Sequence, residues 1–364
     1  MAFPYRPWLS AAVAVTSAGV LLSAQTAPPA DPHRRVYPLP DLRLESGVAL
    51  RDARLAYATF GTLNPRRDNA VLIPSWYGAD HHGYDFLIGP GRALDPAKYF
   101  LIATEMFANG FSSSPSNAPA PQAGPDFPAI AVRDNVEAAR RLITGELGIE
   151  HLAAIVGFSM GAQQAFQWAV SHPGFVSAIV PYCGTAKTYS HGVVRLEGAI
   201  RALAADAAFA GGRYTSPPTK GLEAWSTHWV GWVWSQEWWR RELFKPQFAT
   251  VDEVLASRIA RDRGRDANNL ISQARTWQRH NVGDTPGFHG DHERALRAIQ
   301  ARVLYMPCET DLYFPLGDAR YEHQFLSDAE LAPIPSLWGH SAGSGGNAAD
   351  NDFLNARIRA FLSR

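Results

Sequence analysis

Between residues 42 and 185, and again from about residue 295 to the C-terminus, short apolar runs alternate with segments of helical periodicity. The runs are "ARLAYATFG", "NAVLIPSWYG", "YFLIATEM", "LAAIVGFS", "VSAIVPYCG", "RVLYMPCETD" and "APIPSLWGH". Several are nearly continuous in apolar residues, the pattern of parallel strands covered on both faces; strands with one wet face alternate instead. Between the third run and the fourth, Val136, Ala139, Ile143 and Leu147 fall on one stripe of a helix. Strand, helix, strand in repetition predicts a mostly parallel, doubly wound α/β sheet.

Residues 186–290 break that rhythm with helical patterns and no convincing strand. Seven of the eleven tryptophans fall there: Trp225, Trp229, Trp232, Trp234, Trp238, Trp239 and Trp277. So aromatic a segment is expected to be a helical lid insertion packed on a core formed by residues 42–185 and 291–364, with some rings lining a pocket beneath it. The stretch "SSSPSNAPAPQAGPDFP" reads as a surface loop.

The chain's 364 residues suffice to bury a sizeable core. Its 34 basic residues balance 34 acidic ones, so net charge favours neither nucleic acid nor an anionic membrane as partner. The N-terminus differs from the rest. Arg6 precedes the uncharged run "LSAAVAVTSAGVLL" and then small residues, as in a secretory signal peptide over residues 1–27, with cleavage near Ala24 or Ala27 and a linker over 28–41. An uncleaved anchor is the alternative, although the run falls short of the roughly 20 apolar residues that span a bilayer. Export to the periplasm or the exterior is therefore expected, with no stable membrane insertion. Cys183 and Cys308, the only cysteines, sit in apolar strand-like runs where buried free thiols are expected, though a single bridge is an alternative.

Two G-x-S-x-G pentapeptides compete for the chemistry: "GFSMG" around Ser159 and "GHSAG" around Ser341. A nucleophile elbow needs a strand before its serine and a helix after it, because the tight turn between them lifts the hydroxyl above the sheet edge. Ser159 has both, with "LAAIV" before and "AQQAFQWAV" after. Ser341 is followed by "SGGNAADN", and no histidine lies beyond residue 340 to serve it in the chain order Ser, acid, His. The expected nucleophile is Ser159. His340, on a loop after the last strand, is the expected base, and Asp311, closing "RVLYMPCETD", the expected acid, with Glu309 as its alternative.

Backbone N–H groups of Met160 and of Trp76, with Tyr77 as fallback, are the expected oxyanion donors. His81 and His82, beside that loop, are expected to face water. No H-E-x-x-H motif occurs, "HGDH" at 289–292 is a weak pair, and neither a metal nor a cofactor is expected.

With these residues placed, the chain resembles the homoserine O-acetyltransferase family of α/β-hydrolases from about residue 40 to its end. The shared stretches are "NAVLI", "LIGPGRALDPAKYFLIATE", "FPAIAVRDNV", "GFSMGAQQAFQWA", "RDANNLI", "DLYFP" and "WGH". The resemblance implies the α/β-hydrolase fold and an acyl intermediate on Ser159, with His340 as base and Asp311 as acid. It also implies a helical lid between the later strands, through which family members commonly pair as dimers. Three positions depart from the family's elbow, G-G-S-M-G-G-M-Q: Phe158, Ala162 and Gln163. The loop "PSWYGADHHGYD" is bulkier than the family's, and the arginine that positions homoserine is out of register, Arg201 lying one place away.

These departures move the expected acceptor away from homoserine, and export would remove it from acyl-CoA. Hydrolysis of a small-molecule ester is therefore the leading expectation, acyl transfer to a hydroxylated acceptor the second. A non-catalytic binding protein of the same fold is the third, disfavoured by a complete Ser, Asp, His set in the right order.

Overall fold

The computed structural model describes residues 31–40 and 42–364; the signal peptide expected at residues 1–27 lies outside the described residues. The chain opens with β1 (Arg35–Leu39), a small hairpin of β2 (Leu42–Arg43) and β3 (Ala49–Leu50), then β4 (Ala53–Phe60), β5 (Ala70–Pro74) and β6 (Phe100–Thr104). Helix α1 (Val132–Arg141), β7 (Ala154–Phe158), α2 (Met160–Ser171) and β8 (Ala178–Tyr182) follow. Next come five helices: α3 (Ser190–Ala204), α4 (Thr219–Val233), α5 (Gln236–Arg240), α6 (Val251–Asp262) and α7 (Ala267–Gln278). The chain returns to the sheet through α8 (His292–Arg297), β9 (Arg302–Tyr305), α9 (Leu316–His323), β10 (Ala329–Leu331) and α10 (Ala348–Leu362).

Among the described residues the main sheet has eight strands in the order β1-β4-β6-β5-β7-β8-β9-β10. The pairs β1/β4 and β4/β6 are antiparallel and the others parallel. Its central strands are buried on both faces because successive side chains point to opposite sides and each side meets helices. In β5, Ala70 and Leu72 join one apolar cluster with Val136 of α1 and Phe166 of α2, while Val71 and Ile73 join another with Leu354 and Ile358 of α10. Each such aliphatic side chain contributes about 1.5–3 kcal/mol by leaving water. Of the predicted stripe, Val136, Ala139 and Ile143 are buried and Leu147 half-buried.

Two expectations are corrected. Residues 35–39, assigned to a linker, form edge strand β1 paired with β4; the run "RVYPL" is short, leaves Val36 54% exposed and contains a proline, which sheets admit at an edge. The run "APIPSLWGH" is not a strand. The edge strand is β10, just before it, and although Ala332 N–H and Ile334 N–H still donate to Tyr305 O and Pro307 O at 2.8 Å, Pro333 and Pro335 have no N–H with which to continue a ladder.

Helices α3 to α7 enclose a third cluster. Leu222, Trp225, Trp229 and Val233 follow helical spacing along α4 and pack with Trp277 of α7. Met160, the first residue of α2, and Tyr313 and Phe314, on the loop after β9, belong to the same cluster, which seats the helices over the C-terminal ends of the strands. No described helix is long and apolar enough to cross a membrane.

Glu322 of α9 ties this layer to the sheet. Its carboxylate accepts from Ala186 N–H at 2.9 Å, Tyr305 hydroxyl at 2.8 Å and Tyr189 hydroxyl at 3.3 Å. Burial pushes its pKa up to about 8, and the hydrogen bonds offset only part of that. A raised folded-state pKa means that the native protein binds the proton more tightly than the unfolded chain, whose carboxyl titrates near 4.5. The contribution is complete below pH about 4.5 and is lost as pH rises through about 8. Urea midpoints at pH 5 and pH 8.5 should therefore fall further for the wild type than for Glu322→Gln, by on the order of 1 kcal/mol or more. Equal slopes for the two proteins would contradict this.

Candidate active site

Strand β7 ends at Phe158 and α2 begins at Met160, so the whole reversal falls on Ser159. Its φ of 55° and ψ of −121° are unusual for a residue with a side chain and cost about 1–3 kcal/mol. The flanking glycines make that geometry possible. A Cβ on Gly157 would lie 2.1 Å from Gly161 O, and one on Gly161 would lie 2.5 Å from Pro74 O and 2.7 Å from the Tyr84 hydroxyl. Backbone crowding therefore requires glycine at both ends of the pentapeptide.

The Ser159 hydroxyl lies 3.0 Å from His340 Nε2, and His340 Nδ1 lies 2.8 Å from Asp311 Oδ2. All three side chains are buried. An ionised carboxylate can only accept, so Nδ1 carries a proton and Nε2 is left as an acceptor facing the serine. The other oxygen, Asp311 Oδ1, accepts from Tyr313 N–H at 2.7 Å and Phe314 N–H at 3.2 Å, which fixes the plane of the carboxylate.

The imidazole is packed among aromatic rings. Phe158 stacks on it with centroids 4.7 Å apart, and Tyr313 lies 4.5 Å away. Its loop is fastened to the acid's loop by Thr310, whose hydroxyl donates to Ser336 O at 2.8 Å and accepts from Gly339 N–H at 3.2 Å.

Met160 opens α2, where the first N–H groups have no acceptor within the helix. The N–H groups of Trp76 and Tyr77, on the loop after β5, have no acceptor among the described residues either. In that loop Ser75 N–H is taken by Thr104 O and Gly78 N–H by Gln273 Oε1. The Trp76 ring packs edge-on against Tyr84 and Phe158, each centroid 4.9 Å away.

Other sequence candidates lie elsewhere. Ser341 follows His340, but its hydroxyl faces that of Ser344 at 3.3 Å. Glu309 is exposed. Arg201 points outward and pairs with Glu197 at 3.0 Å. Cys183 and Cys308 are free and buried, and burial pushes both thiols well up, Cys308 to about 12.

The expectation that His81 faces water is wrong. It is fully buried, with Nδ1 2.7 Å from Glu105 Oε1, and the same oxygen accepts from Arg34 at 2.9 Å. An ion network under the loop outweighs the polarity that suggested solvent. His82 is half-exposed beside Asp85.

Ser159 and His340 open into a cavity of about 330 Å³. One wall is aromatic, built from Trp76, Phe158, Trp229, Trp277 and Tyr313; another carries Arg258, Arg261 and Arg265. Sequence reasoning did not identify those arginines. Their spacing of three and four residues, which puts positions on one helical face, was the available signal. It was hard to separate from an ordinary solvated helix face.

The geometry can be set beside known proteins. Residues 71–301 match the family described as alpha/beta hydrolase fold. An ethyl acetate hydrolase of Pseudomonas veronii is 37% identical over 334 residues, covering 90% of this chain and 93% of that protein. A homoserine O-acetyltransferase of Symbiobacterium thermophilum is 30% identical over 362 residues, covering 88% of this chain and 91% of that one. The solved structure of an acetylester hydrolase from Corynebacterium glutamicum superposes with a TM-score of 0.88 at 33% identity, covering 91% of this chain and 96% of that one. A strand-to-helix serine elbow under a helical layer, together with similarity over nine-tenths of the sequence, places the chain in the alpha/beta hydrolase fold family.

Proposed function

We propose that the protein is a serine esterase that hydrolyses small carboxylic esters through an acyl-Ser159 intermediate. The observation that carries this reading is the hydrogen-bonded chain from Ser159 Oγ through the two nitrogens of His340 to Asp311, buried at the floor of a cavity with one aromatic wall. Ser159 Oγ attacks the ester carbonyl carbon while His340 Nε2 takes the hydroxyl proton. The new C–O bond leaves negative charge on the former carbonyl oxygen, and the N–H groups of Met160 and Trp76 face it. Protonated His340 returns the proton to the departing alkoxide, and Asp311 stays ionised to stabilise the imidazolium. Water, deprotonated by the same nitrogen, then releases the acid and restores Ser159.

The relatives that hydrolyse ethyl acetate and acetyl esters support an acetyl or similarly small acyl group. So does a cavity near the lower end of the size range of small-molecule sites. The leader-like sequence of residues 1–27 supports a place outside the cytoplasm, where water is the available acceptor.

A fluorophosphonate probe should label the folded wild type on Ser159, mapped by mass spectrometry of the labelled peptide. Absence of labelling in protein that retains its urea transition would defeat covalent catalysis. The homoserine O-acetyltransferase relative supports a second reading, acyl transfer to a hydroxylated acceptor, which shares the first half-reaction. Partitioning of the acyl-enzyme between water and added alcohols separates the two: transfer that never competes with hydrolysis excludes it.

A further inference from the structure

The cavity's second wall has more positive charge than the protein neutralises. Arg258 and Arg261 on α6, and Arg265 just beyond it, border the cavity together with a single acid, Asp262. Two of the three are paired: Arg261 Nε lies 3.0 Å and Arg265 Nε 3.3 Å from Asp262 Oδ1. Asp262 also accepts from the Ser226 hydroxyl at 3.0 Å, so its capacity is used. Arg258 has no hydrogen bond or ion pair among the described residues, and its Nε is buried without a partner. Its guanidinium carbon lies 5.5 Å from the centre of the Trp234 ring, an aromatic contact that leaves the buried Nε–H unmet.

A second unpaired cation stands behind the aromatic wall. The Arg195 guanidinium carbon is 4.0 Å from the ring centre of Tyr313, 4.8 Å from Trp277 and 5.0 Å from Trp229, and all three rings line the cavity. Its three guanidinium nitrogens are buried with no hydrogen-bond partner. Burial pushes both arginines down to about 10, which leaves them charged at neutral pH.

A purely structural role would be met better by uncharged side chains, because an uncompensated buried charge costs several kcal/mol. A solvated surface role does not fit Arg195, which is 3% exposed, or the buried Nε of Arg258. The unmet Nε–H of Arg258 and the excess charge of the arginine wall border the cavity that holds the nucleophile. An anion on the substrate would satisfy both, and the planar guanidinium fork matches a carboxylate.

We infer that the cavity selects esters bearing a carboxylate, received by Arg258, with Arg195 adding positive potential from behind the aromatic wall. The inference rests on the esterase reading and narrows its substrate class. The carboxylate can belong to the acyl or to the alcohol half of the ester, and matched pairs distinguish these sources. On the acyl side, 4-nitrophenyl hemisuccinate is compared with neutral 4-nitrophenyl levulinate. On the alcohol side, acetoxyacetate is compared with acetoxyacetone.

In one pair the wild type should favour the anion in kcat/KM by on the order of tenfold or more, as expected of a charge-assisted hydrogen bond. Added salt should weaken that preference. Arg258→Gln should bring the ratio close to one, and Arg258→Lys should keep part of it. Ratios at or below one in both pairs would overturn the inference, as would Arg258→Gln slowing both members of a pair by the same factor. Turnover of the neutral esters alone would leave the esterase reading standing and sink this one. Failure on all four esters, together with failure of the fluorophosphonate probe, would remove both.

Discussion

Ser159→Ala is expected to lower kcat on a small acetyl ester by on the order of a millionfold while leaving the protein folded. The size of the loss follows from what the hydroxyl does. It is the sole atom that forms the acyl bond in the proposed reaction, and without it His340 Nε2 and the N–H groups of Met160 and Trp76 have only water to activate. What remains is the catalysis those donors give without a nucleophile, so some rate above the uncatalysed one should persist. Substrate binding should change little, because the aromatic wall is untouched.

The unusual backbone at Ser159 is imposed by Gly157, Gly161 and the strand-to-helix turn, so alanine inherits it. The urea midpoint should accordingly move by no more than about 1 kcal/mol equivalent. Retention of more than a few per cent of wild-type turnover in carefully purified variant would mean that another group supplies the nucleophile.

Asp311→Asn should lower kcat by about ten thousandfold, for a reason specific to this site. One carboxylate oxygen accepts from the N–H groups of Tyr313 and Phe314, and the other faces His340 Nδ1. An asparagine must keep its carbonyl oxygen toward those two backbone donors, since turning round would set its NH2 against them. Its NH2 then points at Nδ1 and donates to it. That forces the imidazole proton onto Nε2, where it blocks acceptance of the Ser159 proton. The geometry survives while the tautomer is wrong. The rate of fluorophosphonate labelling should fall with kcat, because both depend on the same proton transfer. A loss below about a hundredfold would show that Asp311 does not set the state of the imidazole.

Much of the frame behind these expectations is legible in the sequence. Six of the seven quoted apolar runs are strands, because a strand buried on both faces must be apolar throughout. The elbow was legible from Gly157 and Gly161 with a strand before and a helix after, since only that setting brings a serine to the edge of a sheet. The run that failed, "APIPSLWGH", is apolar enough for a strand but contains two prolines, and hydropathy does not register a missing N–H. Strand β1, "RVYPL", is apolar but short and contains a proline, which reads against a strand unless the strand lies at a sheet edge, and only its pairing with β4 places it there. His81 was misjudged because burial of a histidine depends on partners distant in sequence, here Glu105.

Taken alone, the sequence determined six strands of the sheet and the helical insertion that interrupts them, the choice of Ser159 over Ser341, and the candidates for base and acid. These follow from periodicity, chain order and the steric needs of one tight turn, all local or one-dimensional properties. Only the tertiary structure decided that Asp311, not Glu309, faces His340, that Phe158 and Tyr313 pack against the imidazole, and that Arg258 and Arg195 remain unpaired beside the cavity. Those facts depend on distances between segments far apart in the chain, and on which charges find partners once the core has closed. No local pattern encodes either.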